Sequence, residues 1–221
     1  MNLETKIRKK KIALLCTGAS LSQPADINLN QYDTIIGVNR IYLTGFADKI
    51  DILFHNASQL DNPKVMLQNL LSKNPNVHTF FMPSAKKHPI NELIYLDELA
   101  LKGYAVTNLC GYRDFETKKR GWQPLTGLIT LEIILKFRPE SVDIYGMDFY
   151  QAGSSNKYHQ NLEQFSNMTL DHDMKSNYFT FMQETGLWIP EERKHMFALR
   201  CRNIQWHIDK KIIEKLKDMY S

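Results

Sequence analysis

The chain has 221 residues, of which 43% are apolar and 24% charged, with a formal net charge of +4. That length and apolar content fit one folded domain and exclude a chain disordered over most of its length, and the charge is too mild to point to nucleic acid. No apolar run approaches the roughly 18–20 residues that cross a bilayer, and 3 cysteines (Cys16, Cys110, Cys201) are too scattered for a disulfide framework or a CxxC metal site.

In chain order, Lys6, Arg8, Lys9, Lys10 and Lys11 open a basic stretch that leads into a short apolar run ending at Thr17-Gly18, not into a signal-peptide core. A cytoplasmic location is therefore expected. The run from Lys11 to Cys16 does not alternate, so it predicts a buried parallel strand closed by the turn Thr17-Gly18-Ala19-Ser20. Further strands are predicted at Thr34–Val38, Ile50–Phe54 and Val77–Met82, followed by Asn39, His55-Asn56 and Pro83-Ser84. Apolar residues at three- and four-residue spacing predict a helix from Leu125 to Phe137, with Thr126 or Gly127 at its start. A strand at Ser141–Tyr145 follows and continues into Gly146-Met-Asp148-Phe-Tyr150. Residues 151–185 begin polar and rich in Asn, Gln and Ser, which predicts a lid inserted into a single α/β domain spanning 1–221; helices are expected at Thr169–Glu184 and Ile208–Tyr220.

Small or polar residues at successive strand ends matter because an open parallel sheet binds ligands outside its carboxyl edge. Thr17, Gly18, Ser20, Asn39 and Asn56 would line that edge. A Thr-Gly turn fits plain architecture as well as close approach to a phosphate. An asparagine fits a turn hydrogen bond as well as a contact to a nucleotide. Thr126-Gly127 fits an N-capping threonine without a ligand as well as an anion site. Tyr150 fits a ring packed beneath the lid or a donor to a leaving phosphate, and Asp148 fits an orienting role. Asp171-His172-Asp173 reads three ways: a metal-binding DxD, an exposed acidic helix start, or a histidine base between carboxylates. The remaining histidines have no ligand-like spacing, so no zinc site is expected.

The stretch Gly146-Met-Asp-Phe-Tyr-Gln-Ala-Gly-Ser-Ser155 resembles the Gly-Ile-Asp-Phe-Tyr-Gln-Asn-Gly-Ser-Ser segment of bacterial lipooligosaccharide sialyltransferases. Pro124-Leu-Thr-Gly127 through Tyr145-Gly146 is also similar to the small sialyl motif of the animal enzymes, and Thr17-Gly18-Ala19-Ser20-Leu21 to the bacterial family's Asn-Gly-Pro-Ser-Leu turn. The resemblance implies a variant GT-A fold, Rossmann-like and doubly wound, with a mostly parallel sheet and a small lid. It implies that Thr17, Gly18, Ser20, Asn39, Asn56, Thr126, Gly127 and Asp148 hold CMP-sialic acid. By the same resemblance His172 is the general base and Tyr150 assists the leaving phosphate. The family's second tyrosine corresponds to Asn156 here, with Tyr158 nearby.

The implied reaction is inverting transfer of sialic acid to a glycan hydroxyl, on lipooligosaccharide or a capsule-type glycan. A CMP-sugar carries a single phosphate and the chain has no strand-end DxD, so no metal is expected. The partners implied are the CMP-sugar and the glycan acceptor, with peripheral contact to the inner membrane through the basic ends and the final amphipathic segment; homo-oligomerisation stays open. Rival readings are a transferase for another CMP-sugar such as Kdo, a methyltransferase using S-adenosylmethionine, and a non-catalytic nucleotide-binding relative. The methyltransferase would need an acidic residue closing the second strand, where this chain has Asn39.

Overall fold

Alternation is missing from the strand sequences Ile12–Leu15 and Ile52–His55 because both faces of the sheet are covered there. A computed structural model describes residues 2–16, 21, 26–56, 70–83, 90–120, 124–147 and 204–207. Its described elements are α1 (Leu3–Ile7), β1 (Lys11–Leu15), β2 (Thr34–Val38), β3 (Ile52–His55), β4 (His78–Phe81), α2 (Ile90–Leu101), β5 (Val106–Asn108), α3 (Tyr112–Arg120), α4 (Thr126–Lys136), β6 (Ser141–Tyr145) and β7 (Ile204–His207). The strands form one sheet in the order β5-β4-β3-β2-β1-β6-β7. Every pairing is parallel.

This is the α/β, Rossmann-like architecture expected from the sequence. β2 and β6 have the predicted bounds, and β1, β3, β4 and α4 differ from prediction by one or two residues at their ends. α1, α2, β5, α3 and β7 were not foreseen. β5 is only three residues long, and α3 is too polar to show an apolar stripe. The lid at 151–185 and the helices expected at Thr169–Glu184 and Ile208–Tyr220 lie outside the described residues.

Two apolar layers sandwich the sheet. Ile12, Leu14, Ile36, Ile52, Phe54, Val142 and Ile144 face Leu128, Ile129, Leu131 and Ile134 of α4. Ala13, Leu15, Leu53 and Phe81 face the opposite way, against Tyr42, Phe46, Leu96 and Leu99. At the amino edge, aspartates fix the register: Lys11 N–H donates to Asp33 Oδ2 at 2.9 Å and Ile35 N–H to Asp51 Oδ2 at 2.8 Å. The hydrogen bond from Lys11, helped by Lys10, holds the Asp33 carboxyl below the ordinary carboxylate range.

The basic opening is neutralised in place. Arg8 pairs with Glu4, while Lys6, Lys10 and Lys11 lie 4.0, 3.7 and 3.9 Å from Asp51, Asp33 and Glu140. Those side chains stay about half exposed, which matches solvated faces better than a free cationic patch. Among the described residues, no helix is long and apolar enough to cross a membrane.

His78 is buried at the start of β4, stacked on Phe80 at 4.4 Å and bonded to Thr107 Oγ1 at 2.7 Å. Burial pushes its pKa below the ordinary 6.5. The unfolded chain therefore binds this proton more readily than the folded one. Its contribution to stability is complete above about pH 6.5 and is lost as the pH falls from there. Urea midpoints measured between pH 7.5 and 5.5 should fall more steeply for the parent than for His78→Asn. Parallel slopes would refute this.

Candidate functional site

The strand order reverses its direction between β1 and β6, since β1 leads outward through β2 on one side and β6 leads to β7 on the other. In an open parallel sheet this switch point opens a crevice at the carboxyl ends. Leu15 pairs with Tyr145 there, and Cys16 N–H extends the ladder by donating to Tyr145 O at 2.8 Å. Both chains then leave the sheet, at Cys16 and at Gly146-Met147.

The first turn of α4 is seated on these two exits. A Cβ placed on Gly127 would lie 2.9 Å from Met147 Cε and 3.7 Å from Cys16 Sγ. A side chain there would have to displace only the flexible end of Met147. Gly146 makes the matching approach from the other side. Its φ is +68°, and a Cβ would press into the Cys16 carbonyl and lie 2.9 Å from Leu21 Cβ.

Thr126 does not play the capping role that its sequence allowed. The N-cap is Leu125, which gives the first turn no side-chain hydrogen bond. The N–H groups of Thr126, Gly127 and Leu128 have no intrahelical acceptor by geometry. Thr126 itself is 2% exposed, and its Oγ1 is buried with no hydrogen-bond partner. A buried hydroxyl left unbonded costs about 1–3 kcal/mol, so an orphan one at a helix start calls for an explanation. The helix dipole adds positive potential at the same point. The arrangement can receive an anion bearing oxygen acceptors.

Asn39 and Asn56 close β2 and β3, one and two strands away from β1. They meet: Asn56 N–H donates to Asn39 Oδ1 at 3.2 Å. Asn39 also carries a φ of +51°, a conformation that asparagine tolerates better than most residues. Its side-chain oxygen is therefore engaged in architecture, as the turn reading allowed. Thr17, Gly18, Ser20, Asp148, Tyr150, Tyr158 and His172 lie outside the described residues. Cys16 and Met147, the positions immediately before Thr17 and Asp148, both lie against Gly127.

The sequence reading overlooked Asp143 and His207. His207 Nε2 lies 3.2 Å from Asp143 Oδ1, and its ring stacks on Tyr145 at 4.2 Å. The available signal was Asp143 itself, a charge in the middle of an otherwise apolar strand. No group of three or more potential metal-ligating side chains occurs among the described residues.

No family model and no curated protein matches this chain. Among solved structures it is similar to the sialyltransferase CstII from Campylobacter jejuni in complex with the substrate analogue cytidine-5'-monophosphate, at 14% identity and a TM-score of 0.42 over 71% of this chain and 76% of that one. The same enzyme in complex with CMP-3FNeuAc is similar at 17% identity and a TM-score of 0.42, over 70% and 76%.

Proposed function

We propose that the chain is an inverting glycosyltransferase that moves sialic acid from CMP-sialic acid to a glycan hydroxyl without a metal ion. The acceptor glycan is of the lipooligosaccharide or capsule type, and the enzyme works in the cytoplasm with peripheral contact to the inner membrane. The observation that carries the reading is the orphan hydroxyl of Thr126, buried at an uncapped helix start beside the sheet's switch point. A phosphate oxygen would accept from that hydroxyl and from the free N–H groups around it.

The motif resemblance supplies the identity of the anion. It puts the CMP phosphate at Thr126-Gly127 and the turn Thr17-Gly18-Ala19-Ser20, with Asn39 and Asn56 toward the nucleoside and Asp148 orienting the loop. In this reading His172 removes the acceptor proton as the sugar carbon gains oxocarbenium character. Tyr150, with Tyr158, donates to the departing phosphate as charge builds on it.

Calorimetric titration with CMP in excess chelator, on the parent and on Thr126→Val, tests the reading. The parent should bind, and the valine variant should bind about tenfold more weakly, as expected for one lost hydrogen bond to a charged group. The same variant should unfold a few degrees higher, because it removes an unbonded buried hydroxyl. Loss of affinity together with a gain in stability is the signature of a group kept for a ligand. A parent that does not bind CMP, or binds it only with added metal, would sink the proposal, as would unchanged affinity in the variant. Comparing hydrolysis of CMP-sialic acid with that of CMP-Kdo then identifies the sugar.

A further inference from the structure

Both faces of an interior parallel strand are normally apolar, because helices cover them. β6 lies between β1 and β7 and departs from this on one face. Val142 and Ile144 enter the core beneath α4. Asp143 and Tyr145 alternate to the other side. β7 repeats the pattern, its register setting Gln205 beside Asp143 and His207 beside Tyr145. Among the described residues, the apolar layer on that second face runs across β1 to β5 and stops at Tyr145.

The polar groups on this face are joined to one another. Tyr32 Oη lies 2.6 Å from Tyr145 Oη, and the Asp143 charge acts on both phenols. Either hydroxyl can be the donor in the bond between them, since each carries one proton and can also accept. Burial raises both phenols above their ordinary values, reinforced at Tyr32 by the bond with Tyr145 and partly offset by the same bond at Tyr145, and they remain protonated. Asp143 accepts from His207, yet a carboxylate has about four acceptor positions. It is 15% exposed at the side chain and His207 41%, while Gln205 is exposed. One face of the His207 ring lies on Tyr145, at an interplanar angle of 9°.

A carboxylate with spare acceptor capacity, a primary amide and an accessible aromatic ring on one flat surface are the groups that hold a sugar. The carboxylate and amide take ring hydroxyls, and the aromatic face covers C–H edges. The geometry points to this face of β6 and β7 as a binding surface for a pyranose. Tyr145 and His207 are the last residues of their strands, so this face borders the carboxyl edge of the sheet. A donor sugar joined to a phosphate at the switch point, or an acceptor whose hydroxyl attacks that sugar's anomeric carbon, would lie at that edge. That placement rests on the donor-site reading above; the chemistry of the surface does not.

Saturation-transfer NMR on the full chain tests the surface directly, with free sialic acid and methyl β-galactoside as probes. At least one probe should give a signal with the parent, reduced fivefold or more in Gln205→Ala and in Asp143→Asn. Gln205 is exposed and outside the hydrogen-bonded group, so its variant should keep the parent Tm and remains informative if Asp143→Asn folds poorly. Steady-state kinetics then separate the sources. A KM for CMP-sialic acid raised in hydrolysis and transfer alike assigns the face to the donor sugar, and a KM raised only for the acceptor in transfer assigns it to the acceptor; either supports the proposal. No signal from either probe with the parent, or equal signals in parent and variants, overturns it. A parent that fails to bind CMP counts against the donor-site reading alone, and the NMR result still decides this one.

Discussion

Gly146→Ala is expected to destabilise the fold by about 2–5 kcal/mol. Two costs combine at this position. Gly146 sits at φ +68°, a conformation that costs an L-residue roughly 1–2 kcal/mol. The added Cβ would also press into the Cys16 carbonyl and lie 2.9 Å from Leu21 Cβ, and overpacking of that kind typically costs about 1–3 kcal/mol. The Cys16 backbone cannot easily yield, because its N–H is held by Tyr145 O at 2.8 Å. Gly103→Ala is the matched control. Its φ is +85°, but a Cβ there would meet nothing within 4 Å. Urea unfolding of the two variants should thus separate the steric cost from the backbone cost. Equal losses in both would show that the crossing of β1 and β6 is looser than described.

Removing the arginine that ties α3 to α4 should be at least as damaging. Arg120 donates through Nε and Nη2 to Glu116 Oε2 at 3.1 and 2.8 Å, and through Nη2 to Glu132 Oε2 at 2.5 Å. Its side chain is 14% exposed and that of Glu116 only 5%. Arg120→Ala strands the Glu116 carboxylate away from water, which typically costs about 3–5 kcal/mol when a buried pair is broken. For a chain of this size that corresponds to a Tm drop of roughly 6–20 °C. Replacing Glu116 as well, as Glu116→Leu with Arg120→Met, should recover part of the loss, since the most buried carboxylate goes with the arginine and only the more exposed Glu132 loses its pairing. A single variant within about 0.5 kcal/mol of the parent would assign the ion pair no structural weight. Arg113 Nε also donates to Pro124 O at 3.3 Å, so α3 braces the segment that delivers Thr126 to the sheet edge.

Much of the fold was legible because the interior strands carry their burial in their composition. Ile12-Ala-Leu-Leu15, Ile35-Ile36 and Ile52-Leu-Phe54 are apolar on both faces, which only a covered parallel sheet explains. The helix at α4 was equally plain from its spacing. β7 escaped notice because Ile204-Gln-Trp-His207 alternates like a half-exposed strand and lies at the edge, where only β6 supports it. α3 escaped because its inward-facing residues are Glu116 and Arg120, while Phe115 points to solvent. Side-chain pairing across two helices inverted the usual pattern, and no local rule anticipates that.

For the site, the sequence by itself determined the residue types at the strand ends and the Thr126-Gly127 helix start, because these follow from local turn and helix chemistry. Whether Thr126 caps its helix or keeps a free hydroxyl was decided only by the tertiary structure, through the N-cap at Leu125 and the burial of Oγ1 between packed layers. Tertiary structure likewise decided that Asn39 braces Asn56, since their hydrogen bond joins neighbouring strand ends 17 residues apart in sequence. It also brought Tyr32, Tyr145, His207 and Asp143 together from distant segments. Proximity across a sheet is set by strand order and register, and a linear sequence carries neither until the chain has folded.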